Sequence, residues 1–269
     1  MQQKRFRLAG KVAIVTGAGS SGPGVGTGKA TATLFAREGA KVLLADRVAS
    51  QAEATMAAIT EEGGEASVFE ADVTQSNECR AMVDAAQERF GGLHILFNNV
   101  GVLGEGSVVD LEEENWDRVL DANLKSMMLT SRYAVPAMAQ GGGGSIINVS
   151  SIAGIRAGSG GASIPYTASK GGVISLTTSM AVHHGRENIR VNCIAPGHIY
   201  TPMVSAMTEE TRDLRRRAGP LGTEGTAWDI AWAAVFLASD EARWISGVVL
   251  PVDAGLLATT PLAMLEHLR

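Results

Sequence analysis

The sequence predicts one doubly wound α/β domain, a seven-stranded parallel sheet with helices on both faces. Three observations carry this. Short β-branched runs alternate with longer helical patterns seven times along the chain. The strand runs are continuously apolar, as strands buried on both faces should be. Six glycines crowd between Gly17 and Gly28, directly after the first strand. No Pro/Ser-rich linker, charge block or repeat beyond the strand–helix unit divides residues 1–269, so one domain is expected.

The elements follow in order. Val12 to Val15 reads as the first strand and Lys29 to Glu38 as a helix. Lys41 to Ala45 is the second strand, and Ala49 to Glu62 an Ala/Glu-rich helix stopped by Gly63-Gly64. Ala66 to Glu70 is the third strand, and Ser76 to Phe90 a helix ending at Gly91-Gly92. His94 to Phe97 is the fourth strand, and Glu112 to Met138 one long helix. Ser145 to Val149 is the fifth strand. Tyr166 to His183 is helical, with Pro165 suited to its first turn. Ile189 to Ile194, a helix over Thr226 to Ala238, and Gly247 to Val252 complete the pattern.

Composition narrows the function classes. Glycine supplies 32 of 269 residues, yet without a period of three, which excludes collagen. Hydrophobic residues at 45% exclude a disordered chain. A net charge of −5 argues against nucleic acid or an anionic membrane as partner. Cys79 and Cys193 are the only cysteines and form no CxxC pair, so no zinc or iron–sulfur ligand set exists and no metal is expected. Lys11 interrupts any apolar run at the start, so no signal peptide is read. The apolar helix around Ile230 to Ala238 is too short to span a bilayer. These readings point to a reducing, cytoplasmic setting.

The glycine turn has a mechanism. Gly17-x-Gly19-x-x-Gly22 matches the dinucleotide fingerprint literally, between a strand and a helix. Glycine permits positive-φ turns and lets backbone N–H groups approach a pyrophosphate. A nucleotide-triphosphate loop is the rival reading of Gly26-Thr27-Gly28-Lys29, but it needs glycine at Pro23 and a hydroxyl at Ala30. Asp46 ends the second strand, where an acid accepts the ribose hydroxyls and repels a 2′-phosphate. This favours NAD over NADP, although Arg47 follows at once and could partner a phosphate.

Further candidates lie at the carboxyl ends of strands: Asn98-Asn99-Val100-Gly101, Ser150-Ser151 and Pro196-Gly197. Asn123 lies within the long helix, and Tyr166 and Lys170 share one helix face at i and i+4. With the late Val252-Asp253-Ala254-Gly255 and Asp72-Val73, these motifs stand in register from Leu8 to Leu257. The chain resembles the short-chain dehydrogenase/reductase family, of its common single-domain subfamily with a Rossmann-like fold.

The resemblance implies roles for particular residues. Tyr166 matches the general acid/base, and Lys170 the residue that lowers the tyrosine's pKa and holds the nicotinamide ribose. Ser151 matches the serine that hydrogen-bonds the substrate oxygen, and Asn123 the asparagine that holds a water in the proton relay. Gly17, Ser20, Gly26, Thr27 and Gly28 correspond to the diphosphate turn, with Asp46 and Arg47 beside the adenosine ribose. Asp72 and Val73 correspond to the adenine site, and Asn99, Val100 and Gly101 to the ribose. Pro196, Gly197, Ile199 and Thr201 correspond to the carboxamide end. Three departures matter. Ser21 to Val25 are extra within the turn. Val100 replaces the usual alanine. Ser151 to Tyr166 spans 15 positions, so the Gly/Ser stretch at 158–163 is expected to bulge outward.

Other tempting residues read more plainly. Adjacent His183 and His184 point about 100° apart on a helix, which suits helix-end charge partners better than metal ligands. His198 could edge the cofactor or the substrate. Arg212, Arg215, Arg216 and Arg217 read as a solvated helix face, and Met203 and Met207 as either pocket or apolar face. No GxSxG elbow supports a hydrolase. The expectation is an NAD-dependent dehydrogenase interconverting a secondary alcohol and a ketone. Two alternatives stand beside it: an NADP-dependent 3-oxoacyl-type ketoreductase, and a non-catalytic nucleotide-sensing protein. Residues 198–225 would cover the substrate and 258–269 form a tail. The resemblance also implies a homo-oligomer, a tetramer or otherwise a dimer.

Overall fold

The computed structural model describes residues 6–157 and 163–268. In chain order it runs β1 (Val12–Thr16), α1 (Thr27–Arg37), β2 (Lys41–Asp46), α2 (Ala49–Glu61), β3 (Ala66–Glu70), α3 (Ser76–Phe90) and β4 (Ile95–Asn98). The second half holds α4 (Glu113–Leu120), α5 (Ser126–Gln140), β5 (Gly144–Val149), α6 (Ile164–His184), β6 (Ile189–Pro196), β7 (Ile199–Tyr200), α7 (Glu209–Ala218), β8 (Gly225–Thr226), α8 (Ala227–Ala238), β9 (Val249–Val252) and α9 (Leu265–Leu268).

Seven strands form one parallel sheet in the order β3-β2-β1-β4-β5-β6-β9. Adjacent residues in each inner strand serve opposite faces. Ala13 and Val15 pack with Leu34 and Phe35 of α1 and Ile230 of α8. Ile14, between them, packs with Met82 of α3, Met138 of α5 and Met180 of α6. Val42 and Leu44 join the first group, and Leu43 the second. Both faces of the sheet are therefore covered, which is why its strands read as unbroken apolar runs. The chain leaves β1 toward β2 and β3, then returns to place β4 on the other side of β1. That reversal opens a crevice at the carboxyl ends of the strands.

Local signals fix the helix ends. Gly91 stops α3 in the left-handed region at φ 85°. Thr226 and Asp229 form a capping box at the start of α8. Three expectations are corrected. The long helix predicted from Glu112 to Met138 is α4 and α5 joined by a π turn over Asp121–Lys125. A π turn inserts one residue into the helical repeat, which a period of 3.6 does not reveal. The α6 helix starts at Ile164, so Tyr166 lies in its first turn. A small second sheet, β7 with β8, stands in the predicted covering segment 198–225 and takes in Thr226, so α8 starts one residue later than expected. Of the Gly/Ser stretch at 158–163, all but Ser163 lies outside the described residues.

Candidate active site

The groups of interest converge beyond β4, β5 and β6. Lys170 is buried, and its Nζ donates to Val149 O at 2.8 Å. Burial pushes its pKa down to about 8. Its ammonium lies 5.7 Å from the centre of the Tyr166 ring. Burial pushes the Tyr166 phenol up, and a hydrogen bond with the Ser151 side chain works against that rise. Ser151 Oγ also accepts from Ala153 N at 3.1 Å, holding the serine at the end of β5. Gly154 lets the turn after Ser151 touch α6: a Cβ there would sit 2.6 Å from Lys170 O. Ser150 Oγ ties the same carbonyl at 2.6 Å. The serine turn and the tyrosine–lysine helix are thus fastened together.

Asn123 sits in the π turn, fully buried. Its Oδ1 accepts from Val102 N at 2.7 Å, and its Nδ2 donates to Val102 O and to Ser169 Oγ, each at 3.0 Å. A Cβ built on Gly101 would lie 3.3 Å from Lys170 Nζ and 3.5 Å from Asn123 Oδ1. Gly101, Asn123 and Lys170 therefore meet at one point, and the missing side chain keeps that point open.

The glycine turn is a close-packed cradle. Gly17 adopts φ 62°, and a Cβ on Gly28 would fall 1.9 Å from Gly17 O. Asn99 Nδ2 donates to Thr16 O at 3.2 Å and Gly17 O at 3.3 Å, bracing the turn from β4. Ser20 Oγ accepts from Gly26 N at 2.9 Å and closes the loop across its extra residues. Ser21, Pro23 and Gly24 face solvent. A Cβ on Gly22 or Gly24 would lie 3.7 or 3.9 Å from Pro202, so the added loop leans toward the covering segment. The N-terminus of α1 has no side-chain cap, with Gly26 at its N-cap, so its first amides remain as donors for an anion. These residues fit a dinucleotide diphosphate: donors at a bare helix end, and a floor that only glycine can form.

Asp46 has a structural duty as well. Its Oδ2 accepts from Gly19 N at 2.9 Å and its Oδ1 from Val48 N at 3.0 Å. Arg47 beside it is exposed. Asp72 Oδ1 accepts from Thr74 N and Oγ1, turning the chain after β3 and leaving Val73 buried against Leu129 and Val100. That contact accommodates the bulk of Val100. Pro196 ends β6, and Gly197 lies so close to Asp253 that a Cβ would approach its Cα to 2.5 Å. Ile199 forms β7, and Thr201 opens the turn that follows.

Known proteins share this arrangement. A family model described as enoyl-(acyl carrier protein) reductase matches residues 23–257. A solved Burkholderia xenovorans protein, assigned to the short-chain dehydrogenases/reductases, is 41% identical with a TM-score of 0.90, covering 95% of this chain and 99% of that one. The chain belongs to the short-chain dehydrogenase/reductase family. The 3-oxoacyl-(acyl-carrier-protein) reductase of Thermotoga maritima is 37% identical over 252 residues, 94% of this chain and all of that protein. The cyclohexanol dehydrogenase of Acinetobacter sp. strain SE19 is 38% identical over 247 residues, 90% of this chain and 93% of that protein. This short-chain dehydrogenase/reductase is an oxidoreductase, and its family uses a nicotinamide cofactor.

One hydrogen-bonded network of this short-chain dehydrogenase/reductase escapes sequence reasoning, although Asn98 itself stands among the candidates. Asn98, Asn148 and Thr177 form a buried chain beneath the site: Asn98 Nδ2 donates to Asn148 Oδ1 at 2.9 Å, and Asn148 Nδ2 to Thr177 Oγ1 at 3.0 Å. An asparagine inside an apolar strand was the available signal. The α7 arginines are also less uniform than a solvated face. Arg212 lies 3.8 Å above the Tyr200 ring and pairs with Glu224, while Arg215 turns inward. His184 hydrogen-bonds Glu187 at 3.4 Å at the end of α6.

Proposed function

We propose that the protein is an NAD-dependent dehydrogenase interconverting a secondary alcohol and a ketone. The observation that carries this is the joining of a Ser151–Tyr166 hydrogen bond to a buried Lys170 beside the open point at Gly101. Gly17, Ser20, Gly26, Thr27 and Gly28 would hold the cofactor diphosphate, with Asp46 and Arg47 at the adenosine ribose. Asp72 and Val73 would face the adenine. Asn99, Val100 and Gly101 would border the nicotinamide ribose, and Pro196, Gly197, Ile199 and Thr201 the carboxamide. The bound cofactor supplies the hydride acceptor or donor.

The chain's own residues handle the proton and the orientation. Ser151 Oγ holds the substrate oxygen against Tyr166 Oη. In alcohol oxidation Tyr166 Oη takes the hydroxyl proton; in ketone reduction it returns one. A charged Lys170 favours the phenolate, opposing the burial that raises the phenol. Asn123, bonded to Val102 and Ser169, shares the open point at Gly101 with Lys170, where a relay water would bind. Residues 198–225 would cover the substrate, with the 258–269 tail behind them: Arg217 reaches His267 O at 3.3 Å.

Tyr166→Phe should lower turnover by about 10²-fold or more while NAD titrates with unchanged affinity. Near-normal turnover in that variant would overturn the assignment. Cofactor choice rests on Asp46, whose carboxylate would accept the ribose hydroxyls and repel a 2′-phosphate. The Thermotoga relative's activity and the exposed Arg47 favour a second reading, an NADP-dependent 3-oxoacyl-type ketoreductase. Initial rates with NADH and NADPH separate the two, and a preference for NADPH refutes the first. Among the described residues no helix is long and apolar enough to cross a membrane. Buried, unpaired Cys79 and Cys193 support a reducing, cytoplasmic setting.

A further inference from the structure

Helix α7 carries four arginines, and three of them are matched by acids. Arg212 pairs with Glu209 and Glu224, Arg216 with Glu209 and Asp213, and Arg217 with Asp213. Arg215 has no carboxylate within ion-pairing distance among the described residues. It lies one turn beyond Arg212 on the face turned to β7. Its contacts are the sulfur of Met207 and Ile199 O, the latter at 3.5 Å. A thioether is a weak acceptor, and a carbonyl at that distance is at the limit of a hydrogen bond. A half-buried guanidinium with five donors is therefore left without a charged acceptor among the described residues. Glu224, whose field reaches it, is already committed to Arg212.

A second group at the same place lacks a partner. His198 follows the tight Gly197–Asp253 contact at the end of β6, and its buried Nδ1 has no hydrogen-bond partner. Burial and the Arg215 charge disfavour its proton, with a hydrogen bond to the Arg215 backbone and then Asp253 acting the other way. Two nitrogen-bearing side chains thus lie together at the carboxyl end of the sheet, one a cation without a carboxylate partner and the other with an unpaired Nδ1. A half-buried cation of this kind is stabilised by a planar oxyanion that takes two N–H bonds at once.

We propose that Arg215, with His198 beside it, anchors a carboxylate on the substrate, so that the alcohol oxidised here is a hydroxy acid. This rests on the dehydrogenase reading and gives its substrate a charge. Arg215 sets specificity by holding the end of the substrate remote from the reacting carbon.

The test uses the full chain saturated with NAD, after NAD binding has itself been measured by titration. Cyclohexanecarboxylate and neutral cyclohexylmethanol are then titrated calorimetrically. The carboxylate should bind at least about tenfold more tightly than the alcohol, and Arg215→Met should remove that difference, with Arg215→Lys keeping part of it. Equal affinities in the unmodified protein, or a carboxylate affinity untouched by Arg215→Met, overturn the proposal. Kinetics with cyclohexanol and its 4-carboxylate counterpart supply the second readout. The kcat/KM ratio favouring the acid should fall about tenfold or more in Arg215→Met. If neither alcohol is turned over but the carboxylate still binds through Arg215, the dehydrogenase reading fails and the anchor stands.

Discussion

Lys170 is held in a place that disfavours its own charge. Its pKa falls from the ordinary 10.5 to about 8 because burial penalises the ammonium. Between those two values the unfolded chain keeps a proton that the folded chain has released, so stability rises with pH across that window. Below pH 8 the folded protein carries the full cost of the buried charge. Lys170→Met removes that cost together with one hydrogen bond to Val149 O. The variant is expected to be about 1–3 kcal/mol more stable than the parent at pH 7 while losing turnover. The gain should shrink toward zero as pH approaches 10.5. Urea midpoints at several pH values check this, and a lower midpoint for the variant at pH 7 would count against it. Such a residue was legible in the sequence, since Tyr166 and Lys170 fall on one helix face. Its depressed basicity was not, because that comes from Val149 and the walls around it.

At the scale of elements, the lengthened glycine turn separates into working and decorative parts. Gly28 packs on the Gly17 carbonyl, while Gly22 has only Pro202 nearby, at 3.7 Å from a built Cβ. Gly28→Ala should therefore cost about 1–3 kcal/mol and abolish NAD binding. Gly22→Ala should leave both the melting temperature and the NAD affinity close to the parent. Equal tolerance at the two positions would mean that the cradle is not where the cofactor sits. The six glycines were visible in the sequence, but their ranking was not, since it depends on which carbonyl each one faces. The main strands were equally visible, because burial on both faces leaves an apolar run. The strands β7 and β8 were missed because two residues carry no period. The π turn at Asn123 was missed because helical spacing tolerates one inserted residue. The direction of Arg215 was hidden because four arginines within one short helix fit either face.

The whole molecule leaves large apolar side chains near the β9 end of the sheet. Trp244 is 92% exposed and Val182 81% exposed, while Gly247 lies against Ala181 beside them. Exposed apolar side chains of this size favour association of copies of the chain. Sedimentation should give the mass of a tetramer or a dimer, and Trp244→Glu should lower it; a monomer from the parent protein would refute this. The tail packs on its own α7, so removing residues 258–269 should leave that mass unaltered. At the crevice, selection and rigidity share one carboxylate. Asp46 would discriminate between two cofactors, and it also pins Gly19 and Val48. Exchanging it for a neutral residue to admit a phosphorylated dinucleotide would release the amide that shapes the turn. Changing this protein's coenzyme is therefore a two-position problem: a variant that admits the phosphate must also supply a new acceptor for the Gly19 amide.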